Sequence, residues 1–86
     1  MALKEEIIRA LENLNLKSLV VDFERSPSGK IGAVIISDSF SRKTMIDRQN
    51  LIWDHLEKVL GKNKVSKIIG LITLTHKEAD GAYSKT

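Results

Sequence analysis

At the centre of the chain an uninterrupted apolar run, Val34-Ile35-Ile36, leads through Ser37-Asp38-Ser39-Phe40 into a basic segment and then a long amphipathic pattern. Consecutive side chains of a strand point to opposite faces, so a strand that is apolar at every position has no wet face. The segment Ile31 to Ser37 therefore reads as the central strand of a sheet, covered on both sides. At 86 residues the chain has room for one core and not two. The remaining segments have to serve as neighbours and cover for this strand.

Two helical patterns provide cover. Leu3, Ile7, Ile8, Leu11 and Leu14 recur at the spacing of one helix face, which predicts a first helix over residues 3 to 13. Glu5 and Glu6 near its start suit the helix dipole, and Asn13 and Asn15 break the pattern. A longer helix is predicted from Thr44, a capping residue with Asp47 three positions on, to Gly61 at a typical helix end. Its inward face reads Met45, Ile46, Gln49, Ile52, Trp53, Leu56, Val59 and Leu60.

The sheet neighbours are Leu16 to Glu24, with Asp22 and Glu24 on the wet face, and Lys67 to Thr75, carrying Ile68, Ile69, Leu71, Ile72 and Leu74. Ser26-Pro27-Ser28-Gly29 is a turn by composition, since proline presets φ and glycine accepts positive φ. It makes the first two strands an antiparallel hairpin. The long helix before the third strand permits that strand to run parallel to a neighbour. A short helical turn is expected at Ser39 to Arg42, and Lys62-Asn63-Lys64 reads as a basic connecting loop. Thr75-His76-Lys77-Glu78 repeats the capping signature and opens a short terminal helix. The fold class is α+β, a three-stranded sheet with helices packed on one face, in the order α-β-β-(short α)-α-β. One domain is expected over residues 1–79, with 80–86 as a disordered tail.

Composition removes several functions. The chain has no cysteine, so disulfides, thiolate metal sites and cysteine nucleophiles are excluded. No apolar run approaches the roughly 20 residues of a membrane span, and the N-terminus lacks the apolar block of a signal peptide. A soluble, cytoplasmic protein with no membrane partner is expected. The formal net charge is only +3, so distribution matters more than total. Arg42, Lys43 and Arg48 crowd the start of the long helix, and Lys62, Lys64 and Lys67 crowd its far end. Asp38 and Asp47 lie among them and weaken the field.

The order of strand, Ser37-Asp38-x-Phe40, Lys43 and Arg48 resembles the middle of a BolA-like domain, where a strand runs through Ser-Asp-x-Phe-x-Gly-Lys into a helix carrying Arg-His-Arg. Arg42 stands in place of the family glycine, Gln49 of the histidine and Asn50 of the second arginine. The resemblance extends to the first helix, the hairpin, and the third strand followed by Thr-x-x-Glu. It implies a fold related to type II KH domains. It also implies one of two roles: DNA-binding transcriptional regulation, or pairing with monothiol glutaredoxins around a two-iron, two-sulfur cluster.

In the family, the cluster role takes a histidine from the start of the third strand and a His or Cys from the first hairpin. Iron in such a cluster binds imidazole or thiolate, not ammonium or amide groups. Here Lys67, or Val65 in a shifted alignment, falls at the histidine position, and Arg25-Ser26-Pro27-Ser28-Gly29-Lys30 holds no ligand. No cofactor and no metal is expected. The nucleic-acid role needs cations directed at phosphates, and a helix start also favours anions. Type II KH domains place RNA on a Gly-x-x-Gly loop between two helices; Gly29-Lys30-Ile31-Gly32 has that spelling but falls between strands.

Other residues favour structural roles. His55 has no carboxylate three or four positions away to orient it, and His76 sits at a helix start. Asp22, Glu24 and Asp38 form no ligand set by spacing. Asp38 is expected to cap the short turn. Trp53 reads as core, and Gln49, on the inward face, is expected to hold a structural hydrogen bond in place of the family histidine.

The chain is thus expected to be a non-enzymatic small regulatory binding module, with Arg42, Lys43, Arg48, Lys62, Lys64 and Lys67 contacting the phosphates of DNA or RNA. The alternative is a protein-interaction module, with a glutaredoxin-like or other partner bound without iron–sulfur ligation. A continuous positive surface around Lys43 and Arg48 favours the first, an apolar patch there the second.

Overall fold

The apolar segment is the central strand. In a computed structural model describing residues 2–83, β2 (Ile31–Ile36) lies between β1 (Val20–Arg25), antiparallel to it, and β3 (Ile68–Leu74), parallel to it. Alternation sends Ala33 and Ile35 to one face and Val34 and Ile36 to the other, and all four are buried. On the first face α1 (Leu3–Glu12) and α2 (Met45–Leu60) close the main core. Ile7, Ala10 and Leu11 from α1, with Ile52 and Leu56 from α2, meet Ala33, Ile35 and Leu71, and Phe40 is fully buried among them. A final helix, separated from α2 by a short α3 (Lys62–Val65), follows β3. This α4 (His76–Tyr83) folds back and sets Ala79 against Val34 and Ile36, beside Leu74. The main helices therefore share one face, and α4 covers part of the other.

The structure shortens or shifts several predicted elements. β1 starts at Val20 rather than Leu16, because Asn15 and Ser18 take left-handed conformations (φ 54° and 52°) that no strand accommodates. The segment expected as a basic loop is the one-turn helix α3. Gly61, at φ 88°, makes the corner between α2 and α3, and Gly29, at φ 86°, closes the hairpin; a side chain at either would be strained. Helix α4 includes residues 80–83, which the sequence assigned to a disordered tail; residues 84–86 of that expectation lie outside the described residues.

The inward face of α2 also differs from the expectation. Arg48, Ile52 and Leu56 form its buried centre, spaced one turn apart. Ile46 is 72% exposed because it lies off that face, and Met45 (54%) and Val59 (46%) are exposed because they sit in the terminal turns. Gln49 is structural, as expected: its Nε2 donates to Leu71 O of β3 at 3.0 Å, and its Oε1 accepts from Trp53 Nε1 at 2.9 Å.

Removing Gln49 strands two polar partners at once. Gln49→Leu is expected to destabilise the fold by about 1–3 kcal/mol for the half-buried groups left unpaired, read as a lower melting temperature. The opposite sign is expected at Thr73, whose buried Oγ1 has no hydrogen-bond partner among the described residues. Thr73→Val, which keeps the shape and deletes the orphan hydroxyl, should raise stability by about 1 kcal/mol in the same thermal melts.

Candidate nucleic-acid interface

Two helical segments frame the basic loop. The first is a short 3-10 helix, Asp38–Phe40, capped by Ser37 rather than by Asp38. Ser37 Oγ accepts from the Ser39 N–H at 3.1 Å and donates to Lys17 O at 2.7 Å. Ser39 Oγ accepts from the Lys17 N–H at 2.9 Å, and the Asp38 N–H donates to Lys17 O at 3.1 Å. The Ser-Asp-Ser stretch is thus fastened to the loop that precedes β1. The second segment is α2, whose cap Thr44 accepts from the Asp47 N–H at 3.1 Å, as the sequence implied. Between them Ser41, Arg42, Lys43 and Thr44 form an exposed loop with both ends fixed.

Arg48 is not part of that exposed surface, and this corrects the sequence-based expectation. It is 4% exposed. Its guanidinium makes a two-pronged contact with Glu78 of α4, Nη1 to Oε1 at 2.7 Å and Nη2 to Oε2 at 3.2 Å. Nε donates to Lys43 O at 3.1 Å and Nη1 also approaches Thr73 O at 3.3 Å, while the cation lies 5.8 Å from the centre of the Phe40 ring. A buried guanidinium is stable only with its charge paired and its donors occupied, and this one meets both conditions. Its Nε bond to Lys43 O supports the loop from the inside. The signal in the sequence was its spacing: Arg48 stands one turn before Ile52 and two before Leu56.

Glu78 serves two helices. Its carboxylate also accepts from the Thr75 N–H at 2.8 Å, while the Glu78 N–H donates to Thr75 Oγ1 at 3.1 Å. That reciprocal pair is the capping box predicted for α4. The Arg48 hydrogen bond, followed by the Thr75 N–H, holds the Glu78 carboxyl below its ordinary value of 4.5 against a smaller opposing effect of burial.

The cations at the far end of α2 are unequal. Lys62 and Lys67 are exposed, whereas Lys64 forms an ion pair with Glu6 of α1. They are separated from Arg42 and Lys43 by a 16-residue helix, which spans about 24 Å. The two groups therefore form separate patches. The surface next to Arg42 and Lys43 includes exposed Met45 and Ile46, so it is basic and apolar together.

The histidines are bound to backbone: His55 Nε2 lies 2.7 Å from Ala10 O, and His76 Nε2 lies 2.6 Å from Ser18 O. Among the described residues no group of three or more His, Cys, Asp or Glu gathers as a metal site. Lys67 immediately precedes β3, and Ser26 in the hairpin turn hydrogen-bonds Ser28 and Lys30 O. These residue types do not fit an iron–sulfur cluster.

The architecture defines the class as α+β with a mixed three-stranded sheet, and comparison makes it more specific. No protein-family model matches the chain, and no curated protein matches it. Among solved structures, a Bol-like protein from Babesia bovis superimposes with a TM-score of 0.60 at 20% identity, covering 99% of this chain and 96% of that one. The fold is BolA-like. No helix among the described residues is long and apolar enough to cross a membrane.

The Arg48–Glu78 pair gives a pH signature. Because the Glu78 pKa is lowered in the folded state, its stabilisation is complete above pH 4.5 and is lost as pH falls through the lowered value. Melting-temperature curves of wild type and Glu78→Gln should therefore be separated by a constant gap above pH 4.5 and converge below it.

Proposed function

We propose that this protein is a non-enzymatic, cytoplasmic, BolA-like regulatory module that contacts nucleic-acid phosphates through the loop Ser41-Arg42-Lys43-Thr44. The observation that carries this reading is the exposure of Arg42 and Lys43 on a loop fixed at both ends, directly before the N-terminus of α2. Unpaired amides of a helix start and two adjacent cations act on an anion in the same direction. The loop also lies between two helical segments, the position at which type II KH domains carry their phosphate-binding glycine loop. Lys62 and Lys67 supply a second contact region, while Arg48 and the Glu6-paired Lys64 contribute less. Contacts of this kind position a polymer without reading its sequence.

A protein-interaction role is the second reading, favoured by exposed Met45 and Ile46 beside the same cations. A partner binding there would bury an apolar patch that a phosphate backbone leaves wet.

The two readings separate in a salt titration. Affinity of the wild type for short duplex DNA or single-stranded RNA should fall linearly on a log–log plot against salt. Arg42→Ser/Lys43→Ser should flatten the slope by about 1.8 on duplex or about 1.4 on a single strand, with an unchanged circular dichroism spectrum. Salt-independent binding, or an unchanged slope in the variant, would remove the loop from the interface.

A further inference from the structure

The sheet has two free edges, and the chain treats them differently. In the parallel pair, the Ser37 N–H donates to Leu74 O at 2.9 Å. Alternation then turns the carbonyls of Leu71 and Thr73 toward the outer edge of β3. Both carbonyls are occupied, Leu71 O by Gln49 Nε2 and Thr73 O by Arg48 Nη1. Side chains of α2 thus take the acceptors that a further strand would need.

The edge of β1 is open. The Ser26 N–H donates to Lys30 O at 2.9 Å, and the same ladder pairs Glu24 with Gly32, Asp22 with Val34 and Val20 with Ile36. Alternation turns the main-chain groups of Val21, Phe23 and Arg25 away from β2, and no described residue hydrogen-bonds to them. Asp22 and Glu24 are exposed on the face away from α1 and α2, while Val21 and Phe23 are half-buried on the helix side. The longer antiparallel registers of β1 with a second copy, keeping Val21 and Phe23 on the helix side, set Asp22 or Glu24 against an acidic residue of that copy. Such pairs are destabilising. The charge that disfavours a second copy attracts a basic strand.

We propose that the β1 edge accepts an extended segment of a partner protein as a fourth strand, a segment in which basic residues alternate with aliphatic ones. Cations two residues apart, about 6.6 Å along a strand, meet Asp22 and Glu24. The intervening aliphatic side chains fall on the helix side near Phe23, where the Lys4 ammonium, 5.7 Å from the ring centre, repels a cation. Main-chain hydrogen bonds give the attachment and the alternating side chains give the selectivity. Asp22 and Glu24 repel phosphates, so this edge does not extend the anion-attracting surface of the basic loop.

The test uses the labelled full-length protein with a seven-residue peptide of alternating lysine and valine, followed by NMR and amide hydrogen exchange. Slowed exchange at Val21, Phe23 and Arg25 on peptide addition is the expected result. Methylating the peptide's β1-facing amides, or substituting Asp22→Lys/Glu24→Lys, should each weaken binding about tenfold or more. A glutamate–valine peptide should not bind. Absence of binding, shifts confined to other surfaces, or equal affinity of the methylated peptide or the double variant would each overturn the proposal.

Discussion

The guanidinium of Arg48 lies where the loop before α2, the end of β3, the aromatic ring of Phe40 and the cap of α4 converge. Placing a cation inside so small a core is unfavourable unless its donors are met almost completely. That requirement fixes the neighbours. Lys43 O must face inward, which turns the rest of its loop out toward solvent. Glu78 must lie within reach, which sets the start of α4. Thr73 O must point away from β2, as the parallel ladder dictates. The exposed basic loop thus rests on a buried basic residue.

Much of the architecture was legible from hydrophobic period, turn composition and capping residues. The doubly apolar run marked the central strand, the Pro-Ser-Gly turn marked the hairpin, and Thr44 and Thr75 marked two helix starts that the structure places as expected. The face of α2 was less legible. By period the apolar residues at both helix ends read as core, although terminal turns have little packed over them, and by its charge Arg48 reads as a surface cation. Its partner stands 30 residues on, and only the crossover from α2 through β3 brings the two together. Gln49 was easier to place, because an amide among apolar neighbours has to find a partner.

The candidate site follows the same division. The exposure of Arg42, Lys43, Lys62 and Lys67 agrees with their sequence context, whereas the engagement of Lys64 by Glu6 depends on how α1 lies against α3. Exposed Met45 and Ile46 give the surface a mixed character that an inward assignment concealed. The histidines, both held against backbone carbonyls, act as braces between segments.

The shared carboxylate of Glu78 has a consequence for how the chain tolerates shortening. A terminal helix of eight residues would ordinarily be expendable, since few side chains dock it and its exposed surface is large. Here truncation before Thr75 removes more than a helix. It leaves the Arg48 cation facing Phe40 with its counter-ion gone, and it uncovers Val34 and Ile36 on the far face of the sheet. The C-terminal segment is thus a stopper for a charge located on α2, and the domain's integrity extends past its last strand.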